Sequence, residues 1–370
     1  MTGTSMDGID AALVRVSTDS SIEFIHGLSR ALDPQLTHTL NKLASGEPVL
    51  LDDFAAADTE LGEALAATAI ELANQTNLPM SAISVIGSHG QTVHHRPGKP
   101  HPNTLQIGNP AVVAERTQCI TVADFRRADM AAGGQGAPLL PALHQKWFAS
   151  PTEHRAILNL GGIANLTTLA AGKDIPTAGF DTGPANTLMD QWCMRHMGEP
   201  FDRDGRWAST GSTDEKLLSA MLSEPYLALK PPKSTGRELF EMSWLDQHLT
   251  QVNSTRLRPE DVQRTLLAFT VETVRDGLIL ANFEPARILV TGGGCHNTLL
   301  VDQLHRATGV VVQSISEFGA SPDFLEAMAF AWFAAARVLS QAVLPPSVTG
   351  AEHAAVGGAI YDPRASAPSL

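Results

Sequence analysis

Four short stretches hold the residues that could do chemistry: GTSMDG (3–8), NLGGIANLT (159–167), FDTGPAN (180–186) and TGGGCHN (291–297). A tight glycine turn between strands can cradle a polyphosphate, because its backbone N–H groups and hydroxyls face the anion. GTSMDG, with two glycines, two hydroxyls and a carboxylate, has that composition, although an ordinary hairpin turn uses the same residues. NLGG could hold phosphate as well, TGGG could let an adenosine lie against bare backbone, and FDTGPAN exposes Asp181 at a strand end. Four such sites converging are not typical of chance turns. The strings G-x-x-x-x-G-K-[ST] and G-x-G-x-x-G are absent, which disfavours a P-loop kinase and a nucleotide-binding Rossmann domain.

The elements that must position these turns alternate between strand and helix. IDAALVRV (9–16) and SIEFIHG (21–27) read as paired strands, and a helix follows from PQLTHTL. Residues 52–77 predict a long helix capped by Asp52. ISVIGSHG is a short buried strand, while 88–103, rich in His, Pro and Gly, and 124–138, rich in Arg, Asp and Gly, predict loops. RAILNLGGIANLTTLA (155–170) gives two strands, and AGFDTGPANTLMDQWCMRHM a strand, a turn and a helix from Pro184. A helix over 259–283, a strand, glycine turn and helix start over 287–300, and an Ala-rich helix over 322–340 complete an α/β pattern. Residues 3–16 and 155–170 are both glycine turns leading into alternating strands, which suggests two related lobes.

At 370 residues two domains or two lobes are expected, and an apolar share of 43% with 18% charged residues is that of a packed protein. The formal charge of −13 and the lack of a basic run argue against a nucleic-acid partner. Cys119, Cys193 and Cys295 are far apart, which fits neither a disulfide framework nor a Cys-x-x-Cys metal site and favours a reducing cytoplasm. No signal segment or long apolar run points to a membrane.

In their order along the chain, GTSMDGID, GSHGQT, DFRRADMAAGGQGAPL, NLGGIANLT, GFDTGPAN, TGGGCHN and EAMAFAW resemble the anhydro-N-acetylmuramic acid kinases, a branch of the sugar kinase, actin and heat-shock ATPase superfamily. The resemblance spans nearly the whole chain. It implies a two-lobed, actin-like (ribonuclease H-like) fold with an interlobe cleft, residues 1–130 forming the first lobe and 131–370 the second, with the last helix at the interface. It also implies an apolar strand ahead of the first glycine turn, which a chain opening at Met1 would lack. The implied reaction uses ATP, Mg²⁺ and water to turn the anhydro sugar into the 6-phosphate of N-acetylmuramic acid. Through that resemblance Gly3, Thr4, Ser5, Met6, Asp7, Gly8, Ile9 and Asp10 form the first phosphate loop, and Asn159, Gly161, Gly162 and Asn165 belong to the second. Gly292, Gly293, Gly294 and Asn297 lie beside the adenosine, and Asp7 acts through water on Mg²⁺.

A glycosidase opening a C1–O bond normally needs two carboxylates. Here the departing O6 is captured by the γ-phosphorus, so one base acting on water suffices, and the resemblance gives that role to Asp181. Gly183 is expected to leave room for sugar and water. Asp-Thr-Gly-Pro also suits a turn or helix cap. Glu326, at the start of the last helix, is the second acidic candidate or an ordinary first-turn Glu. The lactyl carboxylate of the substrate needs a cation, for which Arg126 and Arg127 are candidates unless they form salt bridges to Asp124 or Asp129. His89, Gln91, Asp124, Arg126, Gly183 and Asn186 are thus the expected sugar contacts. His89, His94, His95 and His101 invite a zinc reading, but Pro and Gly break up the segment and H-E-x-x-H is absent. Ser88 lacks the G-x-S-x-G frame of a nucleophile. Two rivals stay open: a kinase for another amino sugar, and a heat-shock-like ATPase module that binds a protein and needs no base at Asp181. A homodimer also stays open.

Overall fold

The computed structural model describes residues 1–3, 6, 8–17, 21–98, 100–173, 178–231, 233–236, 239–252, 257–344 and 346–363. Its contacts divide the chain into two compact units, residues 1–143 with 324–370 and residues 144–323.

Apolar alternation after Gly8 gives β1 (Gly8–Val16), which pairs antiparallel with β2 (Ile22–Ala31). Asp33 caps α1 (Pro34–Ala44), its carboxylate accepting from the Gln35 and Leu36 amides. In α2 (Leu51–Gln75) the expected cap at Asp52 is not used. The chain enters through Leu50 without a side-chain cap, and Asp52 and Asp53 sit in the first turn, where the helix dipole favours negative charge. After β3 (Ile86–Gly87) the expected loop is a hairpin, β4 (Gln91–Arg96) with β5 (Asn103–Ile107), whose Pro and Gly lie in its connection. α3 (Pro110–Thr117) and β6 (Thr121–Ala123) follow. A second expected loop contains α4 (Phe125–Ala131). Its entry residue Asp124 adopts a left-handed φ of 61° and caps nothing, so the usual start signal is missing. α5 (Leu140–Phe148) runs across the division at 143.

In residues 144–323, β7 (Arg155–Leu160), β8 (Ile163–Leu169) and β9 (Ala178–Pro184) form an antiparallel meander. α6 (Asn186–Met197), α7 (Glu215–Leu222), α8 (Met242–Gln251) and α9 (Pro259–Leu280) lead to β10 (Arg287–Thr291), α10 (Thr298–Thr308) and β11 (Val311–Ser314). The sheet order is β11-β10-β7-β8-β9, with β10 parallel to both β7 and β11. A three-strand meander extended by two parallel strands on its first strand is the ribonuclease H-like arrangement the sequence leads one to expect. Phe180, Leu166, Phe269 and Val274 are buried in the core that α9 shares with the sheet.

The chain then returns to the first unit through α11 (Leu325–Val338), α12 (Pro346–Thr349) and β12 (Ala359–Tyr361). β12 pairs with β6, which pairs with β3. The units therefore part at 143/144 and 323/324 rather than at 130/131, and α11 belongs with residues 1–143 because it packs on β1 and β3. The packing is backbone to backbone: a Cβ on Gly87 would lie 1.9 Å from the Phe330 carbonyl oxygen. Beside β1 lies a cavity of about 450 Å³, lined by Ile9–Val16, by residues 82–88 and by α2. No helix among the described residues is long and apolar enough to cross a membrane.

His144 on α5 is 2% exposed, its Nδ1 3.0 Å from Thr167 Oγ1 and its Nε2 without a partner. Burial lowers its pKa from 6.5 to about 3. Between those values the unfolded chain binds a proton that the folded one refuses, so stability falls as pH drops through that window, by up to about 1.4 kcal/mol per pH unit. In urea titrations at pH 7.5 and 5.5, His144→Gln is expected to lose about 1.4 kcal/mol less than the wild type between the two. Equal losses would show that the site accepts a proton when folded.

Candidate active site

Asp181 lies within β9, not at its end. A bulge between Ala164 and Asn165 sets Asn165 opposite it, and Asn165 Nδ2 donates to Asp181 Oδ1 at 2.8 Å. Oδ2 accepts from Ser234 Oγ at 3.0 Å and from the Thr235 amide at 3.0 Å. The backbone is held too: the Asp181 amide donates to the Lys233 carbonyl at 3.1 Å, and Tyr226 Oη donates to the Asp181 carbonyl at 2.9 Å. Asn165, expected beside nucleotide, is thus a partner of the carboxylate.

The turn or cap role does not fit this geometry. α6 begins at Asn186 rather than Pro184, and the amides of Ala185, Asn186 and Thr187 bond to the carbonyls of Gly162, Gly161 and Gly162. Gly183 does not leave room for sugar: a Cβ there would meet Thr273 of α9 at 3.2 Å, so the missing side chain serves helix packing. Sequence reasoning missed Tyr226, Lys233, Ser234 and Thr235. The signal for the last three was PPKSTG (231–236), a proline pair and a lysine before two hydroxyls, but the bond from Ser234 to Asp181 spans 53 residues.

Three of the glycine-site segments expected to converge do so in this unit. The Gly161–Gly162 turn joins β7 to β8, and a Cβ on Gly161 would meet nothing nearer than 3.6 Å. The fold does not require glycine at 161, which leaves bare backbone for a ligand to approach. Gly292, at φ +77°, puts its Cβ position 2.3 Å from Asn159 Oδ1, and that of Gly294 is 2.8 Å from Asn186 Oδ1. Asn186, expected on the sugar, donates its Nδ2 to the Leu160 carbonyl at 2.8 Å and so is tied to this glycine turn. Asn297 caps α10 by accepting from the Leu300 amide at 3.0 Å, a structural use of a residue expected beside adenosine.

The remaining candidates lie in the other unit. Thr4, Ser5 and Asp7 fall outside the described residues. Met6, at φ 54°, donates its amide to the Gly3 carbonyl, and the side chains of Met6 and Ile9 are buried in the core, so only their backbone could face phosphate. Gly8 packs on β2, its Cβ position 2.9 Å from the Arg30 carbonyl oxygen, and Asp10 accepts from Ser29 Oγ.

Arg126 Nε donates to His89 Nε2 at 3.0 Å and Nη1 to the Gly136 carbonyl at 2.8 Å. His89 Nδ1 lies 3.1 Å from the Gly90 carbonyl, which fixes the neutral Nδ1–H tautomer. Burial, reinforced by the Arg126 charge, holds the His89 pKa well below 6.5. Burial also lowers the Arg126 pKa, opposed by Glu326 and Asp129. Arg127, not Arg126, makes the salt bridge to Asp124, at 3.4 Å. Asp129 instead accepts from the Gly136 amide at 2.7 Å and from Thr349 Oγ1. Burial raises the pKa of Asp124, and Arg127 opposes it.

Gln91, expected on the sugar, is 3% exposed and uses its amide internally, accepting from Thr2 Oγ1 and donating to the Thr92 carbonyl. Glu326, in the first turn of α11, reaches solvent, yet the protein around it desolvates it enough to raise its pKa; Arg126 opposes that and Asp10 adds to it. Among the described residues no group of three or more His, Cys, Asp or Glu could hold a metal.

The unit is thus an α/β frame with a carboxylate fixed within one strand by three donors and a glycine turn with bare backbone between two others. The family model of anhydro-N-acetylmuramic acid kinase matches residues 1–363, and the chain belongs to that family. The anhydro-N-acetylmuramic acid kinase of Xanthomonas axonopodis pv. citri (strain 306) is 48% identical over 365 residues, covering 98% of this chain and 96% of the relative. That of Aliivibrio fischeri (strain ATCC 700601 / ES114) is 41% identical over 363 residues, covering 98% and 97%. Among solved structures, the activator of 2-hydroxyisocaproyl-CoA dehydratase from Clostridium difficile with bound ADPNP superposes with a TM-score of 0.42 at 12% identity, over 73% of this chain and 80% of its own.

The glycine turn after β10 yields a paired prediction. Gly292→Ala must adopt a left-handed φ and displace Asn159, so its melting temperature is expected to fall, corresponding to about 1–3 kcal/mol. A Cβ on Gly293 would meet only Asn186 Nδ2, at 3.8 Å, so Gly293→Ala is expected to melt like the wild type. If adenosine lies against that backbone, calorimetry will show weaker ATP binding for Gly293→Ala. Unchanged affinity would remove the adenosine assignment.

Proposed function

We propose that this chain is an ATP-dependent kinase that opens 1,6-anhydro-N-acetylmuramic acid with water and phosphorylates O6, giving N-acetylmuramic acid 6-phosphate and ADP in cell-wall recycling. The observation that carries the reading is the set of donors around Asp181. A carboxylate offers about four lone-pair sites. Among the described residues one donor reaches Oδ1 and two reach Oδ2, so the unused site is on Oδ1. A water there is oriented by the carboxylate while Asn165, Ser234 and Thr235 prevent the side chain from rotating. As the water adds to C1, its proton passes to Oδ1. The C1–O6 bond breaks, O6 takes the γ-phosphoryl group, and ADP leaves with the electron pair of the broken P–O bond.

Arg126, whose Nε and Nη1 are engaged by His89 and Gly136, supports binding of the lactyl carboxylate through the rest of its guanidinium. Glu326 is the nearby acid, and the Gly161–Gly162 turn offers bare backbone to phosphate. Mg²⁺ keeps most of its waters and is held by one or two carboxylates plus substrate phosphates. Asp7 is the residue this reading gives it, acting through water. The reading also assigns the enzyme to the cytoplasm, with no nucleic acid as partner.

Asp181→Asn tests the base. Asparagine keeps the shape but cannot take a proton from water, so turnover is expected to fall by roughly 10² to 10⁴ with substrate binding little changed. Mass spectrometry of the wild-type product should find both added water and phosphate. A folded mutant with full activity would refute the role and move attention to Glu326. ATP hydrolysis indifferent to the anhydro sugar would favour the ATPase-module alternative.

A further inference from the structure

Lys233 is a buried cation, 9% exposed, that makes no salt bridge among the described residues. Its Nζ donates to the Leu227 carbonyl at 2.9 Å and the Tyr226 carbonyl at 3.4 Å, and it lies 4.8 Å from the centre of the Tyr226 ring. An ammonium out of water is costly unless its donors are used, and two carbonyls with an aromatic face meet that need. Tyr226 is anchored in turn: it packs edge-on against Phe240, and its hydroxyl donates to the Asp181 carbonyl at 2.9 Å. The Lys233 carbonyl accepts from the Asp181 amide at 3.1 Å. The next two residues, Ser234 and Thr235, supply both donors to Asp181 Oδ2.

We infer that Lys233 is a positioning residue for the proposed base: its buried ammonium folds residues 226–235 back onto β9, so that Ser234 Oγ and the Thr235 amide lock Asp181 Oδ2 and leave Oδ1 to the water. The inference rests on the reading of Asp181 as the base. A phosphate-binding lysine would keep its donors for the ligand, whereas two of the three here go to main-chain carbonyls. Tyr226 and Lys233 both feel the Asp181 charge. Burial, with Asp181 adding to it, pushes the Tyr226 phenol up, so it stays protonated and donates. Burial pulls Lys233 down while Asp181 opposes that shift.

The test uses the full chain with Lys233→Met, Lys233→Arg, Ser234→Ala and Asp181→Asn. Melting temperature, kcat, KM for the anhydro sugar and the pH profile of kcat/KM are measured for each. Lys233→Met is expected to lower kcat by roughly 10- to 100-fold with KM changed little, because only positioning of the base is lost. Its acidic limb should move up, because Ser234 and Thr235 no longer hold Oδ2 and the Lys233 charge is gone. Lys233→Arg should recover most of the loss, and Ser234→Ala should move the limb in the same direction by less.

A Lys233→Met enzyme that melts lower but keeps the wild-type pH limb overturns the inference, because the lysine is then only structural. Should Lys233→Met not fold, Ser234→Ala decides, and an unmoved limb overturns the inference. Full activity in Asp181→Asn refutes the base and the inference together. An inactive Asp181→Asn beside wild-type Lys233→Met and Ser234→Ala refutes the inference alone.

Discussion

The site within residues 144–323 depends on the two-residue turn Gly161–Gly162. Its carbonyls accept the amides of Ala185, Asn186 and Thr187 at 2.9, 3.0 and 3.1 Å, so the start of α6 is closed by backbone from another hairpin rather than by a side chain. Those contacts fix the end of β9, and with it Asp181, relative to β7 and β8. They also fix Asn186, whose amide reaches the Leu160 carbonyl while its Oδ1 lies under Gly294. One cost follows. The first amides of α6, which would make its N-terminus attractive to an anion, are already used by the turn.

Charged groups here are satisfied in a consistent way. Lys233 gives its protons to carbonyls and a ring, Arg126 gives two of its donors to a neutral imidazole and a carbonyl, and Asp181 takes its bonds from an amide side chain, a hydroxyl and a backbone N–H. None of the three forms a hydrogen-bonded ion pair among the described residues. A direct pair with a fixed countercharge would neutralise the group, whereas neutral partners hold it in place and leave its charge available to a substrate. His89 illustrates the condition, since it can accept from Arg126 only while unprotonated.

Much of the fold was legible in the sequence because the long helices and the meander follow the hydrophobic periods closely. The hairpin β4–β5 and helix α4 were not. In the first, Pro and Gly of the connection set the composition of the whole segment; in the second, Asp124 starts the helix from a left-handed conformation without capping it. At the site, the glycine turns and Asp181 could be named from short strings, because their chemistry is local. Their partners could not. Ser234 meets Asp181 across 53 residues, and the packing of Gly183 on Thr273 shows that a glycine beside a reactive group can owe its place to a helix behind it. Arg126 and Arg127, adjacent in sequence, go to different partners because one points into the protein and the other toward Asp124.

The contact of Gly87 with the Phe330 carbonyl bears on movement. Where a strand and a helix touch through backbone, no side chain can change rotamer to let one slide past the other. The His89 ring lies on Phe330, centroid to centroid 4.5 Å, one helical turn from Glu326. β3, α11 and the His89–Arg126 pair must therefore travel as one rigid body in any rearrangement the enzyme undergoes. The position of Glu326 at the head of α11 relative to the guanidinium held by His89 is then set by packed backbone rather than by a hinge.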